Sequence, residues 1–218
     1  MPVEYLEIGE PFFGLRHVTG EAAFQLEGRA IVLNLGTESV FVEGQKLAPL
    51  QSTILESCTI SEIEKIIVID RFDAEDDDAE LMTRIRDKWP SAFEVRGEER
   101  LRGVEHYMSP KTWVDRIGFT IYHSASVPLN VGLHKEHPFC PVPGFREVHT
   151  QIVGFGKMQQ CREKNLSTLY LEEVMAPGHT HRPMFDADGN YPWHQFETIT
   201  PSVFMAVEML PEGAQVPV

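Results

Sequence analysis

The chain begins and ends on short runs in which apolar residues alternate with polar ones or stand together for a few positions. "RAIVLNLG", "SVFVEG" and "STILES" come early, and "EVHTQIVGFG", "LSTLYLEEVM" and "SVFMAVEML" come late. Each is bounded by Gly, Pro, Asn or Glu, which predicts strands paired antiparallel in a sandwich or barrel. Between them the period changes. "DAEDDDAELMTRIRDKW" puts acids where a helix N-terminus favours them, Leu81, Met82 and Ile85 at helical spacing, and Arg84, Arg86 and Lys88 toward the end, predicting a helix. Its acidic run reads as an exposed helix start rather than a metal or partner patch. In "SPKTW", Ser109 as a cap and Pro110 at the first helical position predict a second helix. The pattern therefore divides the chain into a β region (1–73), a helical connector (74–115) and a second β region (116–218).

Charge narrows the classes of partner. With 33 Asp+Glu against 19 Lys+Arg, the net charge is −14, which disfavours nucleic acid and anionic membrane surfaces and points to small molecules or proteins. No run approaches the ~20 apolar residues of a membrane span, and "MPVEYLEIGEPFFGL" lacks the pattern of a signal peptide, so a cytoplasmic protein is expected. Cys58, Cys140 and Cys161 are widely spaced and form no CxxC pair, so they are expected to be reduced thiols rather than a disulfide framework or a zinc site.

The histidines are unevenly placed. His17 is the only one before position 106, and six of the nine lie between His134 and His194. A strand through "FREVHTQIVGFG" sets Glu147, His149, Gln151 and Val153 on one face and Val148, Thr150 and Ile152 on the other. Upstream, "GLHKEHPF" offers His134, Glu136 and His137; downstream, "PGHTH" offers His179 and His181. A closed sheet could bring these segments together, and mixed nitrogen and oxygen donors suit Fe, Mn, Ni or Zn as a divalent cofactor. In the first half, "VEGQKLAPLQST" shares an apolar-Ala-Pro step with "VMAPGHTH", placing Gln51 and Thr53 where His179 and His181 stand. Those residues cannot replace imidazoles, so the first half is expected to be structural and metal-free, its strands widening a dimer or domain interface. A homodimer is compatible with that reading.

"GLHKEHPFCPVPGFREVHTQIVG" followed by "APGHTH" resembles the two motifs of the cupin superfamily, roughly G-x5-H-x-H-x3,4-E-x6-G and P-x-G-x2-H. Glu147 to Gly154 reads E-x6-G, and Gly178 to His181 reads G-x2-H. The resemblance implies an all-β fold, a cupin-like antiparallel barrel or jelly roll, here a two-barrel bicupin with a degenerate first half and a short helical connector. It further implies Glu147 as the carboxylate ligand, His181 as the imidazole of the second motif, and His134 with His137 as the first pair. Two departures stand out: the first pair is H-x2-H, and nine residues separate His137 from Glu147. Residues three apart share a strand face only across a bulge, so Glu136 or His149 are alternative ligands. His179 is expected beside the site, and His149 either binds the metal or orients a ligand or water from behind.

Two functions follow. One is a metal-dependent enzyme, an oxidoreductase or an isomerase or lyase, acting on a small oxygenated metabolite, with His149 and His194 as candidate acid–base groups. The other is a non-catalytic barrel that binds a metabolite and meets a partner through the acidic connector.

Overall fold

The structure, a computed structural model, describes residues 3–73, 80–129, 131–140 and 142–217. Along them run β1 (Val3–Leu6), β2 (Gly14–Gln25), β3 (Arg29–Asn34), β4 (Val40–Val42), β5 (Gln45–Leu47), β6 (Ser52–Glu56) and β7 (Thr59–Asp70). Helices α1 (Leu81–Lys88) and α2 (Ala92–Arg96) follow. Then come β8 (His106–Met108), β9 (Thr112–Val114), β10 (Ile117–Ser124), β11 (Arg146–Val153), β12 (Gly156–Cys161), β13 (Leu169–Met175), β14 (Trp193–Thr198) and β15 (Ser202–Met209). Every ladder is antiparallel, so the architecture is the mainly β, antiparallel one that the hydrophobic pattern predicts.

Three sheets are built. β1 to β7 form a seven-stranded sheet in the order β1-β2-β7-β3-β6, with β4 on β7 and β5 on β4. A five-stranded sheet runs β11-β15-β10-β8, with β9 beside β10, and β13-β12-β14 make a third. β10 and β15 are buried almost throughout because each face meets a different layer. Ile117, Phe119, Ile121, Val203, Met205 and Val207 join Leu15, Ile31, Leu33, Ile67 and Ile69 of the first sheet in one core. Their neighbours in sequence, Tyr122, Phe204 and Ala206, join Met158, Met175 and Phe196 of the third sheet in another. Period-two alternation thus splits each central strand between a sheet–sheet interface and a second core that lines the site.

Local details correct two expectations. Val153 does not share a face with Gln151. A register shift between Gln151 and Val153 leaves Ile152 unpaired against β15, and such a bulge turns the next residue over, so Val153 joins the interface core. No helix starts at Ser109. Its hydroxyl accepts the Ile121 N–H (2.9 Å) and its own N–H donates to Ile121 O (2.8 Å), while Thr112–Val114 pair with β10 as β9. The Trp113 ring lies so close over Gly118 that a Cβ there would meet it at 2.9 Å. The second helix starts instead at Ser91, where Ser91 and Glu94 exchange the two bonds of a capping box and Gly97 at φ 67° ends it. As for the helix begun by the acidic run, α1 covers Leu81–Lys88 with Leu81 and Ile85 buried, and residues 74–79 lie outside the described residues. No helix among the described residues is long and apolar enough to cross a membrane.

Candidate metal centre

Between the second and third sheets lies a cavity of about 60 Å³. β11 supplies Glu147 and His149, β15 supplies Phe204 and Glu208, β10 supplies Tyr122, and β14 supplies His194 and Phe196. The register explains the grouping, since Glu147 pairs with Glu208 and Gly118 pairs with the same Glu208 on its other side. Across the cavity, the loop after β10 enters with His134 and His137, and α2 with the loop behind it adds Arg96 and Arg100.

His134, His137 and His194 place one ring nitrogen each within 4.8 Å of the others. Backbone pairing builds the cluster. His134 N–H donates to His194 O (3.0 Å) and His194 N–H to His134 O (2.9 Å), so the loop is stitched to β14 at one bridge. Nδ1 of His134 lies 3.0 Å from Gly132 O, and Nδ1 of His194 lies 2.9 Å from Pro192 O. A carbonyl only accepts, so both Nδ1 atoms carry the proton and both Nε2 atoms present a lone pair. The Nε2 atoms of His194 and His137 stand 3.2 Å apart. Two imidazole nitrogens on a tetrahedral ion at 2.0–2.1 Å would be about 3.3 Å apart.

Burial is the largest influence on all three. It brings His134 to about 3, helped by His194 and Arg100, and His194 to about 3 against the Pro192 carbonyl. It also lowers His137, with Glu147 opposing. All three are neutral near pH 7, the form that ligates a metal. Glu147 Oε2 is 3.4 Å from His137 Nε2, and Glu147 Oε1 is 3.5 Å from His149 Nε2. Burial pushes the Glu147 carboxyl up, but the adjacent His149, then His137 and His194, outweigh it and hold the group well below the usual carboxylate range. His149 Nδ1 is buried without a hydrogen-bond partner among the described residues.

The other expected site residues lie elsewhere. His181 is fully buried, but its Nε2 accepts the His149 N–H (2.9 Å) and its Nδ1 faces Arg182 O (2.9 Å). Both ring nitrogens are therefore spent inside the protein, and His181 braces β11 instead of facing the imidazole cluster. His179 pairs with Glu173 at 2.8 Å and is 41% exposed. Glu136 is exposed and lines an outer groove. The "PGHTH" segment is a seam: Gly178 N–H donates to Gln151 O, Gln151 N–H to His179 O, and His181 N–H to His149 O. Ser52 from the first sheet reaches Gly178 O (2.7 Å) and the Thr180 hydroxyl (2.6 Å). Gln51 is exposed, and its side chain caps its own turn, accepting the Ala48 N–H at 3.1 Å.

The sequence pattern did not single out Arg96, Arg100 or Glu208. Glu208 had a readable signal, since it is the one carboxylate in the apolar run "SVFMAVEML". It pairs with Lys111 at 2.6 Å and is almost fully buried. Burial first, then Glu147, raises its carboxyl, and Lys111 opposes them. Cys140 lines the same wall, its thiol pushed up to about 12 by burial and by Glu208.

No protein-family model matches the chain, and no curated protein matches it. Solved structures it is similar to include a variant of Bacillus subtilis oxalate decarboxylase (11% identity, 96% of this chain and 72% of that one, TM-score 0.34). Others are hazelnut (Corylus avellana) vicilin (9%, 92% and 75%, TM-score 0.31) and a Vibrio cholerae transcriptional regulator (10%, 66% and 65%, TM-score 0.34). Likeness at this level says nothing of ligand or reaction.

Proposed function

We propose that the second half is a cupin-like barrel holding one divalent transition metal on Nε2 of His134, His137 and His194, with Glu147 as the adjacent carboxylate, and that it acts as an enzyme on a small oxygenated metabolite. The observation that carries the reading is the gathering of three ring nitrogens, of His134, His137 and His194, within 4.8 Å of one another, with the proton of His134 and of His194 drawn to the far nitrogen by a carbonyl. That tautomer leaves the Nε2 lone pairs of His134 and His194 in the form that binds a cation. Three neutral imidazoles and an ionised carboxylate fit such an ion, and nitrogen and oxygen donors suit Fe, Mn, Ni or Zn. When bound, the ion would supply Lewis-acid or redox chemistry to a ligand oxygen.

The chain's own groups do the rest. Backbone carbonyls at Gly132 and Pro192 fix the tautomers of two imidazoles. His149, beside Glu147 and with an unpartnered Nδ1, is placed to hold or move a proton. His194 serves as a ligand in this reading, not as an acid–base group. Phe196, Phe204 and Met158 keep the cavity apolar around these few polar atoms.

The test is elemental analysis of the purified protein and two variants. The parent should carry about one transition metal per chain, His194→Ala almost none, and His149→Ala nearly the parental amount. A parent without metal, or a His194→Ala variant fully loaded, would overturn the reading.

A further inference from the structure

One stretch of the cavity lining is cationic. Arg96 is the last residue of α2, a helix closed at one end by the Ser91–Glu94 capping box and at the other by Gly97, so its side chain leaves from a fixed point. That side chain is only 12% exposed, lines the cavity, and lies against the Phe139 ring at 5.1 Å. Its Nη2 meets Glu98 Oε1 at 2.6 Å. Its Nε, like the Glu98 Oε1 of that ion pair, is buried and makes no hydrogen bond among the described residues. A buried guanidinium donor without a partner is costly and uncommon. Arg100, on the same wall, already bonds Glu98 Oε2 (2.7 Å) and Val131 O (3.2 Å). Two guanidiniums therefore share one carboxylate, and the Arg96 Nε–H is left unused.

The charge balance of the cavity points the same way. Arg96, Arg100 and Lys111 are matched by Glu98, Glu147 and Glu208. A divalent ion on the imidazoles would add two positive charges to that balance, and of these carboxylates Glu147 is the one beside it. An anionic ligand would offset that charge, and a guanidinium Nε–H with no other acceptor can donate to a carboxylate. A cavity of about 60 Å³ limits that ligand to a few non-hydrogen atoms.

We infer that Arg96 is the acid-recognising residue of this cavity and that the ligand is a small carboxylate anion, its carboxylate on the Arg96 guanidinium and its other oxygen toward the imidazoles. This deepens the metal-centre reading and rests on it for the second contact.

Calorimetric titration with acetate, glycolate and malonate, each beside its neutral amide, tests the inference on the parent protein with and without Mn²⁺. At least one acid should bind roughly ten-fold or more tightly than its amide, the scale of a charge-assisted pair. Arg96→Gln should abolish that preference while taking up Mn²⁺ like the parent and keeping its melting temperature within a few degrees. Amides binding as well as acids, no binding by any of the acids, or a folded Arg96→Gln variant with the parental preference would each overturn it. If Arg96→Gln does not fold, the acid-against-amide comparison on the parent decides alone. A parent that takes up no Mn²⁺ defeats the metal reading, and the metal-free titrations then still report on Arg96.

Discussion

His134 and His194, sixty residues apart in the chain, exchange both of their backbone hydrogen bonds. This single bridge sets their rings 4.5 Å apart and carries His137 to the same point. The imidazole cluster is therefore as rigid as the edge of β14 to which it is tied, and its integrity should follow that pairing.

His134→Ala should remove most of the bound metal and make the melting temperature insensitive to a chelator. The parent should melt lower after chelation, since a ligand of the native state alone stabilises it by mass action. Differential scanning calorimetry with and without chelator checks this. Equal chelator shifts in parent and variant would contradict it.

His181→Ala should behave differently. It deletes the acceptor of the His149 N–H and the donor to Arg182 O and leaves a cavity, which together cost about 2–4 kcal/mol. Urea unfolding should show that loss, while metal analysis should show near-parental content under conditions where the variant is folded.

At Gly178, φ is 84° and a Cβ would meet Ile54 Cγ1 at 2.6 Å. Gly178→Ala therefore adds left-handed strain and a clash at the seam between the first sheet and β11. A loss of about 1–3 kcal/mol is expected, read as a lower urea midpoint with an unchanged slope.

The Lys111–Glu208 pair is nearly buried, at 12% and 5% exposure. Lys111→Met should destabilise the fold by about 3–5 kcal/mol by leaving a carboxylate without its partner. Lys111→Met with Glu208→Gln should recover a large share. A double-mutant cycle by chemical denaturation measures the coupling.

Burial first of all, and then Arg96, holds His106 at about 3 in the folded protein. In the unfolded chain it titrates near 6.5. Between these values the unfolded state binds the extra proton, so the stability from this group is full above about 6.5 and declines as pH falls toward about 3. From pH 6.5 to pH 5 this one group should cost about 1–2 kcal/mol. The difference between parent and His106→Asn in the change of unfolding free energy between the two pH values checks it, since His134 and His194, also held at about 3, contribute alike in both.

Strands were legible because their signal is local. The period-two alternation of "EVHTQIVG" predicts Glu147 and His149 on a shared face, and both reach the cavity. The helical spacing of Leu81 and Ile85 predicts the buried stripe of α1 in the same way. The bulge at Ile152 was not legible, because an unpaired residue is a property of two strands in register and not of one. The same limit applies at Ser109, whose cap-and-proline pattern was overridden by hydrogen bonds to Ile121, twelve residues away.

Composition and pattern by themselves determined the antiparallel β class, the acidic charge and the concentration of imidazoles in the second half. Each depends on side-chain type and on spacing over a few residues. Only the tertiary structure decided which imidazoles meet. His181 satisfies a short motif, yet the pairing of its segment with β11 uses both of its nitrogens. His194 matches no motif, yet a bridge to a loop sixty residues upstream puts its Nε2 3.2 Å from that of His137. Coordination depends on where lone pairs point within a few tenths of an ångström, and that is set by long-range hydrogen bonding that spacing along the chain does not record.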